Sequence, residues 1–182
     1  MITETIDKTE FRKALGHFAT GVTVVTALDG TMPVGFACQA FAALSLDPPL
    51  ILFCPGKHSR TWPIIGRAGA FCVNVLTYAQ RAVSTVFGTA GADKFANVPW
   101  TPAPSGAPVL DGVLTWIDCA VNTVHEAGDH YVVTGRVTTL GEPRDERPLL
   151  FYRGSYTATE PAAPAPGLLD NLITWSRYDD WI

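Results

Sequence analysis

Residues 20–62 read TGVTVVTALDGTMPVGFACQAFAALSLDPPLILFCPGKHSRTW. Two β-branched runs within them, residues 21–27 and 49–54, have the composition of strands, and Asp29-Gly30 is a hairpin-type turn leading to a further run at residues 33–37. Between the runs, residues 35–45 are small or apolar and carry no charge, unlike a solvated loop, so something other than water is expected against them. The second run breaks into Pro55-Gly56-Lys57-His58-Ser59-Arg60, where main-chain amides, a hydroxyl and three basic side chains can converge on an anion. An apolar slot along strand edges beside a phosphate-sized polar cluster predicts a nucleotide-type cofactor.

Upstream, Asp7 or Thr9 can cap a helix over residues 10–18. Phe11, Leu15 and Phe18 fall on one stripe of it, which predicts that this helix packs on the sheet. Downstream, strands are predicted at residues 70–76, 114–125, 130–140 and 149–152, with short helices at 61–66, capped by Thr61 or Ser59, and at 78–87. Residues 96–111 are proline-rich without a period and read as a long surface excursion within the domain. Residues 160–167 form a polyproline-type linker, and the aromatic tail behind it can make a helix with Leu168, Leu172 and Trp175 on one face, docked on the body or on a second subunit. Residues 1–159 are thus one domain and 160–182 its linker and tail. The chain lacks regular βαβ alternation and has no GxGxxG after a strand, so it predicts a mainly β, Greek-key barrel with a few flanking helices rather than a dinucleotide-binding sheet.

Composition narrows the partners. Within 182 residues there are 13 basic and 17 acidic side chains, without a Lys/Arg block, so no nucleic-acid partner is expected. The start, MITETIDKTEFRKAL, does not read as a leader, and no stretch approaches the ~18 apolar residues of a membrane span, which predicts a cytoplasmic protein with no membrane contact. Cys38, Cys54, Cys72 and Cys119 are spread singly and read as buried thiols, with no metal site and no disulfide framework. Cys54 stands apart because it ends a strand beside the proposed slot.

Six separated segments carry a resemblance: FRKALGHFATGVTVVTA, PVGFACQAFAALSLDPPLILFCPGKHSRTW, FCVNVL, DKF, GDHYVVTGRV and PLLFYRGSY. Over residues 9–157 they resemble, in order and spacing, the flavin reductase-like proteins, small NAD(P)H:flavin oxidoreductases that feed reduced flavin to two-component monooxygenases. The resemblance implies an FMN-binding split β-barrel, a homodimer with flavin near the subunit interface, and hydride transfer from a nicotinamide to flavin. PVGFACQ, SLDPPLILFCP, PLLFYRG and the aromatic tail ending in Trp181-Ile182 are most similar to the reductase components of aromatic- or steroid-ring hydroxylases, which implies a separate oxygenase reached by diffusing reduced flavin.

That resemblance places residues in roles. Gly35, Phe36, Ala37, Cys38, Gln39 and Ala40 would lie along the isoalloxazine edge, where small side chains let main-chain amides reach its polar rim. The same stretch also reads as a packed strand bent at Gly35. Ser45, in the SLDPP turn, would lie near the cofactor or merely set the turn, while Cys54 and Pro55 close the strand end. Ser59 and Arg60 suit the flavin phosphate, since a hydroxyl and a guanidinium fork match its geometry; an N-cap serine and a solvated arginine is the competing reading. Phe87, Lys94 and Phe95 resemble further phosphate and adenine-side contacts, or surface packing.

His130, opening a strand after a Gly-Asp turn, would face the open side of the flavin where the nicotinamide docks, and is the candidate catalytic residue; a turn histidine bonded to backbone is its alternative. Tyr152, Arg153 and Gly154 are the other candidates on the pyridine-nucleotide side. Phosphate-binding residues serve FMN and FAD alike, and the lack of clustered arginines leans to NADH over NADPH. Two rivals stay open: a non-catalytic flavin carrier on the same barrel, and a single-component flavin oxidase.

Overall fold

The computed structural model describes residues 6–91 and 93–160. The proposed tail helix with Leu168, Leu172 and Trp175 lies outside them. In chain order the elements are α1 (Lys8–Leu15), β1 (Thr20–Gly21), β2 (Thr23–Asp29), β3 (Met32–Cys38), β4 (Phe41–Leu46), β5 (Pro49–Phe53) and α2 (Trp62–Ala68). There follow β6 (Ala70–Val75), a 3-10 turn (Tyr78–Gln80) that continues into α3 (Arg81–Gly88), β7 (Trp100–Pro102), β8 (Pro108–Leu110), β9 (Thr115–Ala127), β10 (His130–Leu140), β11 (Leu150–Tyr152) and β12 (Ser155–Thr157).

The main sheet has seven strands in the order β3-β2-β6-β9-β10-β5-β4, all antiparallel neighbours. Its two edge strands, β3 and β4, are joined only by Gln39 and Ala40, so the sheet must curl until its edges lie side by side. They meet without pairing. The result is the expected split barrel, open along one seam. Both faces of β2 are buried: Val25 and Ala27 join Phe53, Phe71 and Trp62 in one core, while Val24 joins Val22, Leu76, Phe87 and Leu149 in another. Alternation along one strand therefore supports two packed layers. Gly135 of β10 sits at a bulge against Phe71, where a Cβ would lie 2.5 Å from the ring's Cζ, so the close approach demands glycine.

Three expectations need correction. The small-residue stretch holds a strand, β4, which its alanines and lack of β-branching concealed. Residues 96–111 are no simple surface excursion: β7 and β8 form a hairpin with Ala103, Ala107 and Leu110 buried. Buried side chains bind its main chain, with Asn74 Oδ1 accepting from Leu110 N–H at 2.8 Å, Thr26 Oγ1 donating to Pro108 O at 2.5 Å and Asp118 accepting from Ser105. Those bonds replace the ladder that its prolines interrupt.

Helix α1 is the third. Asp7 caps it as expected, accepting from the N–H groups of Thr9 at 2.8 Å and Glu10 at 3.0 Å. These bonds hold the Asp7 carboxyl below its usual pKa. Its stripe does not bury against the sheet, however, since Phe11, Leu15 and Phe18 are 53%, 57% and 75% exposed. Periodicity identified the helix's apolar face but carried no information about what covers it.

Candidate functional site

A cleft of about 360 Å³ opens at the seam. One wall is the end of β3 and its link to β4, comprising Phe36, Ala37, Cys38, Gln39 and Ala40, and the other is the end of β5, with Cys54, Pro55, Gly56 and Ser59. His130, the first residue of β10, lines the cleft beside Gly56, to which it bridges. The sequence-selected residues on both flanks of the seam therefore converge. Gly56 was missed among the candidates, although the Pro-Gly break at the strand end signalled it.

The edge strand gives the cleft its chemistry. In an antiparallel pair, alternate residues turn both their N–H and C=O away from the partner strand. Gly35 O is turned away from β2, because it accepts from Lys94 Nζ at 3.1 Å. By the same two-residue period, Ala37 turns its N–H and C=O toward the open seam. A planar heterocycle with polar atoms along one rim can take these groups, so the β3 edge fits a flavin ring.

Ser59 and Arg60 lie at the start of the turn into α2. Thr61 holds the N-cap position of α2 without a side-chain bond, and Ser59 Oγ accepts from Trp62 N–H at 3.1 Å, which leaves its hydroxyl proton available to a ligand. Arg60 is exposed and makes no hydrogen bond or ion pair among the described residues. Next to them a smaller cleft of about 210 Å³ joins Thr61 to Gly35, Lys94 and Phe95. Lys94 is already engaged, donating to Gly35 O and, at 2.9 Å, to Phe87 O, and partial burial lowers its pKa. It thus ties β3 to the end of α3 while keeping a positive charge beside Thr61.

Other candidates lie elsewhere. The Phe87 side chain is fully buried, edge-on to Phe95 at 5.0 Å, so it supports the wall without touching a ligand. A Cβ on Gly35 would lie 2.9 Å from the Phe87 ring, so this glycine serves packing. Ser45 pairs with Leu50 toward the far end of β4 and lines neither cleft. Tyr152, Arg153 and Gly154 make the β11–β12 turn, where Arg153 N–H donates to Gly16 O at the end of α1 and Tyr152 stands edge-on to His17. Phe151, which the sequence reading passed over, comes closer: with Phe11, Leu15 and Phe18 it lines an apolar cleft of about 440 Å³ that also includes Gln39 and Ala40.

His130 Nδ1 lies 2.7 Å from Asp129 Oδ1, and this partner holds the Asp129 carboxyl below its usual pKa. Lys57 is bonded at 2.8 Å to Glu126 on β9, which raises the lysine and lowers the carboxylate. The four cysteines are free thiols. Burial raises Cys54 and pushes Cys38 up to about 11, so neither thiol in the cleft is a thiolate at neutral pH.

Comparison with known proteins bears on the same region. Residues 15–160 match the model of the flavin reductase like domain. The reductase subunit HsaB of a flavin-dependent monooxygenase from Rhodococcus jostii is 54% identical, over 98% of this chain and 94% of that one. Nitrilotriacetate monooxygenase component B from Mycobacterium thermoresistibile superposes with a TM-score of 0.84 at 54% identity, covering 91% of this chain and 95% of that one. The NADH:FAD oxidoreductase SgcE6 of Streptomyces globisporus, solved with NAD and FAD fragments, gives 0.82 at 34% identity, covering 86% and 95% of the two chains.

Proposed function

This chain belongs to the flavin reductase like domain family, and on that premise we propose that it is an NAD(P)H:flavin oxidoreductase that supplies reduced flavin to a separate oxygenase. The observation that carries the reading is the seam itself: an unpaired strand edge for a flat polar rim, in a cleft lined also by Ser59 and His130. Bound FMN or FAD supplies the hydride acceptor and NADH the hydride. The chain's own residues bind and orient.

Ala37 holds the ring rim through main-chain groups, and Gln39 sets its outer limit. Ser59 donates its hydroxyl proton to the phosphate, and the Arg60 guanidinium supplies a charge-assisted fork. Lys94 adds positive field there without leaving its carbonyls. His130 bounds the space in which the nicotinamide stacks, and so sets the distance for hydride transfer. The assay that tests this crosses FMN and FAD with NADH and NADPH, following flavin bleaching under anaerobic conditions. Reduction with a preference for NADH is expected, and a protein that bleaches neither flavin is the carrier rather than the enzyme.

The exposed α1 stripe and the uncharged edge strand β4, with Leu46 89% exposed, are the surfaces a second copy would cover in a homodimer. Light scattering should give twice the monomer mass, and Phe11→Glu should lower it. The oxygenase it serves is one that hydroxylates an aromatic or steroid ring, the secosteroid hydroxylase being the case suggested by PVGFACQ, SLDPPLILFCP and PLLFYRG. Reconstitution with such an oxygenase tests the pairing. No helix among the described residues is long and apolar enough to cross a membrane, and the proposed location is the cytoplasm.

A further inference from the structure

Resting on that reading, we propose that Asp129 is a positioning residue that fixes the tautomer of His130. The imidazole then presents an unprotonated Nε2 to the cleft and selects a nicotinamide whose ring substituent donates an N–H.

Gly128 and Asp129 form the tight turn between β9 and β10, closed by the Ala127–His130 pair, with Gly128 at φ +61°. The turn is braced against the β5 end, since Lys57 N–H donates to Asp129 O and Tyr131 N–H to Pro55 O, each at 2.9 Å, and Gly56 bridges to His130. Within this brace Asp129 Oδ1 stands 2.7 Å from His130 Nδ1. An ionised carboxylate only accepts hydrogen bonds, so the proton of a neutral imidazole must sit on Nδ1. Nε2 is then a bare acceptor.

No described residue occupies that acceptor. Among the described residues Nε2 has no hydrogen-bond partner, and a Cβ built on Gly56 would lie 3.7 Å from it, so glycine there leaves the ring's outer edge uncovered. The neighbouring charges, Lys57 and Glu126, are spent on each other at 2.8 Å. A ligand group meeting Nε2 must therefore be a donor. The carboxamide of a nicotinamide offers an NH₂, whereas a 3-acetyl group of similar shape offers only a carbonyl and a methyl.

The test uses the full chain at a pH where its own ¹⁵N spectrum shows a neutral His130 ring. Multiple-bond nitrogen NMR of the ¹⁵N-labelled protein should show His130 protonated on Nδ1. In Asp129→Asn, an isosteric change at an exposed turn, the amide can turn its N–H toward Nδ1, and the proton should move to Nε2. Initial rates are then compared for NADH and reduced 3-acetylpyridine adenine dinucleotide. Taking the ratio of kcat/KM values within each protein, and then between proteins, cancels the different hydride-donor strengths of the two substrates. The preference for NADH should fall about five- to tenfold in the variant, the worth of one partly solvated hydrogen bond. A wild-type His130 protonated on Nε2, or an unchanged preference in the variant, overturns the proposal. A wild-type protein that reduces no flavin with NADH overturns the flavin reductase reading, and the nitrogen spectrum still decides the tautomer.

Discussion

Two stretches rich in small residues and proline meet opposite fates in this barrel. The β7–β8 hairpin is saturated: Asn74, Thr26 and Asp118 reach from the sheet to its main chain, and its alanines are buried. The β3 edge, also made of small side chains, keeps main-chain groups at Ala37 turned to the seam, and among the described residues no side chain comes to meet them. The difference separates scaffold from site. Where the protein supplies the partners the segment holds the fold, and where it withholds them a ligand can supply them.

The largest effect should come from breaking the saturated side. Asn74→Ala removes the donor to Val24 O, Thr26 Oγ1 and Pro108 O and the acceptor for Leu110 N–H, leaving buried groups unpaired. A loss of about 3 kcal/mol is expected in urea unfolding, with the nicotinamide KM of the folded protein unchanged. A marginal loss would mean that water enters and that the hairpin is not the brace described.

On the open side, the double change Ser59→Ala, Arg60→Ala should raise the flavin Kd by about thirtyfold, roughly 2 kcal/mol, and lower stability by about 1 kcal/mol through the lost bond to Trp62 N–H. Equal flavin affinity would move the phosphate away from this turn. His130→Ala should raise the apparent nicotinamide KM by about tenfold with flavin affinity intact, and an unchanged KM would refute its place over the ring. Smallest is the acid response of the brace beside it. Lys57 lowers Glu126, so the stabilisation this pair gives is complete above the unfolded carboxyl value of about 4.3 and is lost as pH falls through the lower folded value. Glu126→Gln should flatten the stability profile slightly between about pH 5 and 3, and an unaltered profile would show that this exposed pair contributes nothing.

Much of this contrast was legible beforehand, for identifiable reasons. β2, β6, β9 and β10 advertise themselves by β-branched residues and β5 by its apolar run, and the uncharged stretch after Gly35 pointed to the seam. Phe36, Ala37, Cys38, Gln39, Ala40, Cys54, Pro55, Ser59 and His130 share one cleft because the curl of the sheet brings the ends of β3, β5 and β10 together. Ser45 lay only a few residues along from that cleft, yet a strand carries its residues apart at roughly 3.3 Å per step. The placement of Tyr152 and Arg153 depends on β11 pairing with β1 in a separate small sheet, a long-range choice with no local signature. Local pattern also could not show that the main chain of β8 would be satisfied from Asn74, 34 positions from Pro108 and 36 from Leu110.

The crossing from one edge of the sheet to the other in two residues has a mechanical meaning. A closed ladder would need a rung between β3 and β4, and that rung is missing where Ala37 faces the gap. A ligand that bonds to this strand completes the hoop, so occupancy and rigidity become one equilibrium. Amide exchange at Ala37 should slow when flavin binds and recover when the reduced molecule departs. The barrel would then loosen each time it gives up its product.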